Sequence, residues 1–177
     1  MKYLTPIYLT LMHAFSTRAD NRLEELKDQK LYPISLMQEY CTLRIDGGRQ
    51  SGKTEAVAQF TSEWLERGNS VVVISDTSSF AEITKKRIIE EHLNQKRHRY
   101  SAHELKRDII TVSIRNFLSG NCNSFRGISL SRVLFIIDEP IRLPEMHKFY
   151  STYQKEVSTA VLRTTNELPL FFVIGLQ

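Results

Sequence analysis

Residues 47–54 read Gly47-Gly48-Arg49-Gln50-Ser51-Gly52-Lys53-Thr54, which fits the pattern G-x-x-x-x-G-K-[ST] at every fixed position. That spacing suits one task. Glycines let the backbone turn tightly and press its N–H groups against phosphate oxygens, where a Cβ would intrude. A lysine directly after the last glycine brings a point charge to the terminal phosphates, and the next hydroxyl ligates Mg²⁺. The chain has only 7 glycines, and Gly47, Gly48 and Gly52 are among them, which marks the loop as a site of unusual backbone demand. All of residues 47–54 are thus candidate nucleotide contacts, with Lys53 on the phosphates and Thr54 on the metal.

A second run supplies carboxylates. Val133-Leu134-Phe135-Ile136-Ile137-Asp138-Glu139 reads as a buried strand ending in two acids, at the edge where parallel α/β sheets bind ligands. Adjacent strand residues point opposite ways, so the acids take different tasks. Asp138 is placed to hold Mg²⁺, directly or through water, and Glu139 to polarise the attacking water as general base. The loop pattern alone occurs by chance in unrelated chains; both motifs in this order point to binding and hydrolysis of a magnesium-bound nucleoside triphosphate.

Phosphoryl transfer also needs cations where negative charge accumulates. Arg49 lies inside the loop and can act in cis on the γ-phosphate. Arg126, in Ser124-Phe125-Arg126-Gly127, precedes the acidic strand, in a turn near the active edge or at a subunit boundary.

The elements that must position these groups are legible in outline. A short strand over 42–46 leads into the loop, and a helix over 53–67 follows it with Ala56, Val57, Phe60, Trp64 and Leu65 at helical spacing. Gly68-Asn69 breaks the chain before a β-branched strand at 70–75. Ser79 and Glu82 form a capping-box pattern opening a helix to about residue 95. A strand at 109–114, a polar turn at 119–127, the acidic strand, a helix over 145–163 and a strand at 168–174 complete the order. Strands alternating with helices predict α/β architecture, a mainly parallel sheet covered on both faces. Residues 4–27 read as an amphipathic arm with Leu23 and Leu26 facing the core. We therefore divide the chain into an N-terminal helical arm, 1–30, and one ATPase core, 31–177.

Composition sets the remaining bounds. With 177 residues and 41% hydrophobic content, the chain can bury one substantial core. The 24 basic and 20 acidic residues leave a net charge of +4, compatible with a polyanionic partner without requiring one. Cys41 and Cys122 lack paired spacing and read as reduced thiols. Thr5, Pro6, Thr10 and His13 interrupt the apolar start, which argues against a secretory signal, and no run suits a membrane span. A soluble cytoplasmic protein is expected.

Residues 48–54 resemble the arginine-containing phosphate loop of the large terminase subunit, the ATPase that drives viral DNA into preformed capsids. An Arg-Gln pair ahead of x-G-K-T is more typical of terminases than of helicases or GTPases. The resemblance runs through 70–75, Arg126-Gly127, the acidic strand and 168–174, and so covers residues 30–177. It implies a RecA-like core, Arg49 as the cis-acting loop arginine and Arg126 as a finger across subunits of a homo-oligomeric packaging ring on a portal. It also implies an adenine-contacting glutamine, which Gln29 fits by spacing and Gln38 by its place after Leu31-Tyr32-Pro33. Where the family carries a Thr- or Ser-rich coupling motif, this sequence has Gly175-Leu176-Gln177, leaving Gln177 as the coupling residue. Neither lid nor nuclease domain follows, so an ATPase core is expected, excised or stand-alone, with a separate nuclease or small terminase partner, in the host-cell cytoplasm.

Lys96, Arg97, Arg99, Lys106 and Arg107, assisted by Lys85, Lys86 and Arg87, form the densest basic region. They suit weak, sequence-independent contact with the phosphates of double-stranded DNA, or a solvated surface. Rival readings are a helicase-like translocase, disfavoured by the single core, and a nucleotide-gated assembly module with little hydrolysis.

Overall fold

The computed structural model describes residues 3–95, 105, 107–120, 123–138, 145–161 and 167–175. In chain order the elements are α1 (Thr5–Glu25), α2 (Pro33–Tyr40), β1 (Thr42–Ile45), α3 (Lys53–Glu66), β2 (Ser70–Ser75) and α4 (Ser78–Asn94). Then come β3 (Ile109–Ser113), α5 (Ile114–Leu118), a 3₁₀ turn (Asn123–Phe125), β4 (Val133–Asp138), α6 (Met146–Thr152), a π-helical turn (Tyr153–Val157) and β5 (Leu170–Ile174). The strands form one five-stranded sheet in the order β1-β5-β4-β2-β3, and every pair is parallel. This is the α/β class, built on a parallel central sheet, expected from the alternation of elements.

The sheet is buried on both faces, as parallel pairing through crossover helices requires. Every residue of β2 and β5 is buried. Phe171 and Phe172 show how the faces divide, because neighbours on a strand point to opposite sides. Phe172 meets Phe15 of α1 and Phe60 of α3. Phe171 meets Tyr150 and Tyr153 and stacks on its register partner Phe135, with ring centroids 4.7 Å apart. Rings buried this way are worth about 3–5 kcal/mol each against alanine.

Two polar clamps tie helices to this core. Arg132, nearly buried, sits 2.6 Å from Asp20 of α1, donates from Nε to the Leu168 carbonyl at 3.1 Å, and lies over the Trp64 ring. Between α3 and α4, the buried His92 places Nδ1 2.9 Å from Ser62 Oγ and Nε2 3.1 Å from Glu66. Burial pushes the Cys41 thiol up to about 12, so it is an inert core group. Cys122 lies outside the described residues.

Several local expectations need correction. The cap of α4 is Thr77, whose hydroxyl accepts from Phe80 N–H at 3.3 Å; Glu82 instead accepts from Thr111 across to β3. The strand at 109–114 stops at Ser113 because that side chain caps α5. The helix expected over 145–163 is shorter: α6 widens into the π turn, and Leu130 N–H then binds the Ala160 carbonyl at 2.8 Å. Helix α2, opened by Pro33, was not anticipated. On α1 the inward stripe is Thr5, Tyr8, Met12, Ser16 and Ala19, with Leu23 half-buried beside it and Leu26 only the C-cap. Small and polar residues on that stripe hid its true face.

Candidate functional site

Strand register aligns Ile45, Ile174, Asp138, Ser75 and Ser113 along one edge, the carboxyl edge of the sheet. The loop of residues 47–52 rises from Ile45, so the sequence motifs share that edge. One strand, β5, separates β1 from β4, which sets their backbones about 10 Å apart at the usual strand spacing. That gap suits a phosphate and a hydrated cation between the loop and Asp138.

The loop is shaped by alternating left-handed residues, Gly48 (φ 72°), Gln50 (φ 57°) and Gly52 (φ 98°). Such alternation turns successive N–H groups inward as an anion nest. Gln50 lacks glycine's freedom there, and holding it costs about 1–2 kcal/mol; strain of that kind clusters at functional loops. Asp46 Oδ1 accepts from Gly47 N–H at 2.7 Å and fixes the entry. Lys53 is buried at the start of α3, its ammonium donating to the Gly48 carbonyl and lying 3.4 Å from Ser51 Oγ. The charge is therefore folded over the loop.

A cavity of about 630 Å³ opens beside it, lined by Gln50 to Glu55 and by α4 residues including Thr84 and Arg87. Thr84 Oγ1 donates to Asp138 Oδ2, which links the acidic strand to that cavity. Magnesium fits this donor set. Among the described residues no cluster of three or more His, Cys, Asp or Glu is placed to hold a metal. Mg²⁺ normally takes one or two carboxylates plus substrate phosphates, and Asp138 with the exposed Thr54 hydroxyl supplies that kind of ligand.

Sequence reading missed what lies behind the loop. The first turns of α1 press on it: Thr5 Oγ1 donates to the Gly52 carbonyl at 3.3 Å. A Cβ on Gly47 would stand 1.9 Å from the Tyr8 hydroxyl, and one on Gly52 would stand 2.3 Å from Thr5 Oγ1. These two glycines are required by close approach of α1, whatever the loop binds. Gly47→Ala is expected to lower nucleotide affinity at least tenfold, and Tyr8→Phe in the same chain to recover part of it. Isothermal titration of the single and double variants checks this; no recovery would mean that the alanine acts on the ligand alone.

Other candidates fall elsewhere. Arg49 is exposed and does not line the cavity. Arg126 lines a separate cavity of about 330 Å³ with Lys155, Glu156 and Thr159, sharing no residue with the first. Gln29 lies beyond the far end of α1, roughly 30 Å of helix from Thr5, so the structure does not bring it to the loop. Gln38 lines a different cavity, with Thr42, Arg44 and Tyr150, sharing no residue with the one beside the loop. Arg107 is exposed and 3.7 Å from Asp108, while the Lys85 ammonium is spent on the Ile109 carbonyl at 2.6 Å. Glu139, Lys96, Arg97, Arg99, Lys106 and Gln177 lie outside the described residues. Among those described, no helix is long and apolar enough to cross a membrane.

No family model matches the chain. The ATPase domain of a Thermus phage large terminase, in a mutant form, is a structural neighbour at TM-score 0.47 and 17% identity, over 89% of this chain and 70% of that one. A curated relative is 42% identical over 182 residues, which cover 99% of this chain and 80% of the relative. By that likeness the chain belongs to the family of the "Uncharacterized 25.0 kDa protein in regB-denV intergenic region" of Enterobacteria phage T4.

Proposed function

We propose that the chain is a magnesium-dependent ATPase. One observation carries this reading: Lys53 and Thr54 line the same cavity as Thr84, whose hydroxyl holds Asp138. Residues 47–52 would wrap the phosphates, Lys53 would swing from Gly48 onto them, and Thr54 with Asp138 would hold Mg²⁺. When bound, the metal would help neutralise the charge of the triphosphate. Glu139 would take a proton from water as that water attacks the γ-phosphorus and the bond to the β-phosphate oxygen breaks.

The finer reading is a motor core of the large-terminase kind, coupling hydrolysis to movement of double-stranded DNA in a phage. The Arg49-Gln50 loop and the phage relative support it. In that reading Arg126 serves a neighbouring subunit of a homo-oligomer, and Gln177 couples hydrolysis to movement. ATP turnover measured with and without duplex DNA tests it: stimulation is expected, and equal turnover would favour a nucleotide-gated module. DNA contact through Lys96, Arg97, Arg99, Lys106 and Arg107 makes a separate prediction. Each lost phosphate contact flattens the log-affinity versus log-salt slope by about 0.9. Arg97→Ala with Arg99→Ala should therefore flatten it by up to roughly two units, equally across sequences. An unchanged slope would remove this segment from the DNA surface.

A further inference from the structure

Helix α4 starts at the carboxyl edge and forms a wall of the nucleotide cavity through Ile83, Thr84, Lys86, Arg87 and Glu90. Thr84 and Arg87, one turn apart, reach carboxylates flanking the reaction centre. Thr84 binds Asp138, and Arg87 Nη2 donates to Glu55 Oε2 at 2.6 Å. Glu55 directly follows Thr54, so this ion pair stands beside the candidate metal-ligating hydroxyl. The Glu55 side chain is only 13% exposed, whereas that of Arg87 is 45% exposed. A shielded carboxylate in the wall of an anion site opposes the ligand that site is built for.

We propose that Arg87 is a second phosphate-contacting cation, held by Glu55 until a nucleoside triphosphate reaches the loop and then transferred to its terminal phosphate. The proposal rests on the reading of residues 47–54 as a phosphate loop. Its physical basis is competition for one guanidinium. Glu55 is the carboxylate that binds Arg87 directly, with Glu90 and Glu91 attracting it from its own helix, while a triphosphate brings several charges and oxygens able to accept a bidentate pair into the cavity Arg87 lines. A diphosphate lacks the terminal group and leaves Arg87 on Glu55. The exchange therefore reports which nucleotide is bound, and α4 carries the report because Arg87 is anchored on it.

The rival role is purely local, with Arg87 only neutralising Glu55. Removing both partners separates the two. Equilibrium titrations with magnesium and either a non-hydrolysable ATP analogue or ADP are made on wild type, Arg87→Ala, Glu55→Gln and the double variant. Transfer predicts that Arg87→Ala weakens the triphosphate analogue by about tenfold or more, the loss of a charge-assisted bond, with ADP changed less than threefold. Glu55→Gln should tighten the analogue, and the double variant should recover only the part of the loss due to the uncovered Glu55 charge, staying clearly weaker than wild type. Return of the double variant to wild-type affinity, or equal losses for both nucleotides, would overturn the proposal while leaving the phosphate loop intact. A wild-type chain that binds neither nucleotide would instead defeat the loop reading itself, and this proposal with it.

Discussion

Lys53→Ala is expected to abolish measurable binding of magnesium–ATP, whereas Glu139→Gln keeps binding and slows hydrolysis by about 10²–10⁴-fold. The asymmetry follows from where each group acts. The Lys53 ammonium is folded over the loop against Gly48 and Ser51, so the alanine removes the buried charge proposed to meet the phosphates. Glutamine at 139 keeps the shape and most hydrogen bonding of glutamate but cannot accept the water proton. Nucleotide titration together with single-turnover hydrolysis separates the effects. Equal loss of affinity in both variants would contradict the general-base role of Glu139.

The second large effect concerns the arginines. Removing a transition-state arginine costs about 10³-fold or more in rate, and Arg49 and Arg126 should pay it differently. Arg49 stands on the loop itself and in the proposed role acts within its own subunit, so Arg49→Ala should not be rescued by a partner chain. Arg126 lines a cavity that shares no residue with the nucleotide site of its own chain. In the proposed ring, its effect would therefore come across a subunit boundary. Mixing Arg126→Ala with Glu139→Gln should restore turnover, because one hybrid interface pairs an intact base with an intact finger. No rescue in an assembly shown to be mixed would remove Arg126 from the reaction.

How much of this was legible in the sequence depended on the range of the interactions. The loop and the acidic strand announce themselves because the chemistry fixes residue types at adjacent positions. The parallel sheet followed from apolar runs such as 70–75, which only a strand buried on both faces needs. The roles of Thr5 and Tyr8 were hidden, since their contact with Gly52 and Gly47 spans some forty residues of sequence and no local pattern encodes it. Thr84 and Arg87 were hidden in part. A helix following β2 must begin at the carboxyl edge, and that rule would have placed α4 beside the loop, but it does not say which of its faces turns inward. Arg87 accordingly read as part of a basic region, for DNA contact or a solvated surface. Gln29 failed for a related reason: its distance in sequence from the loop suited an adenine contact, but a rigid helix of 21 residues carries it away.

The central claim is that residues 47–54 with Asp138 form a magnesium–triphosphate site. Isothermal titration of the purified chain with a non-hydrolysable ATP analogue, in magnesium and again with the magnesium chelated, tests it most directly. The account predicts saturable one-to-one binding in magnesium, weakened at least tenfold by chelation and lost in Lys53→Ala. Absence of binding in the folded wild-type chain, or binding indifferent to both magnesium and Lys53, would contradict it.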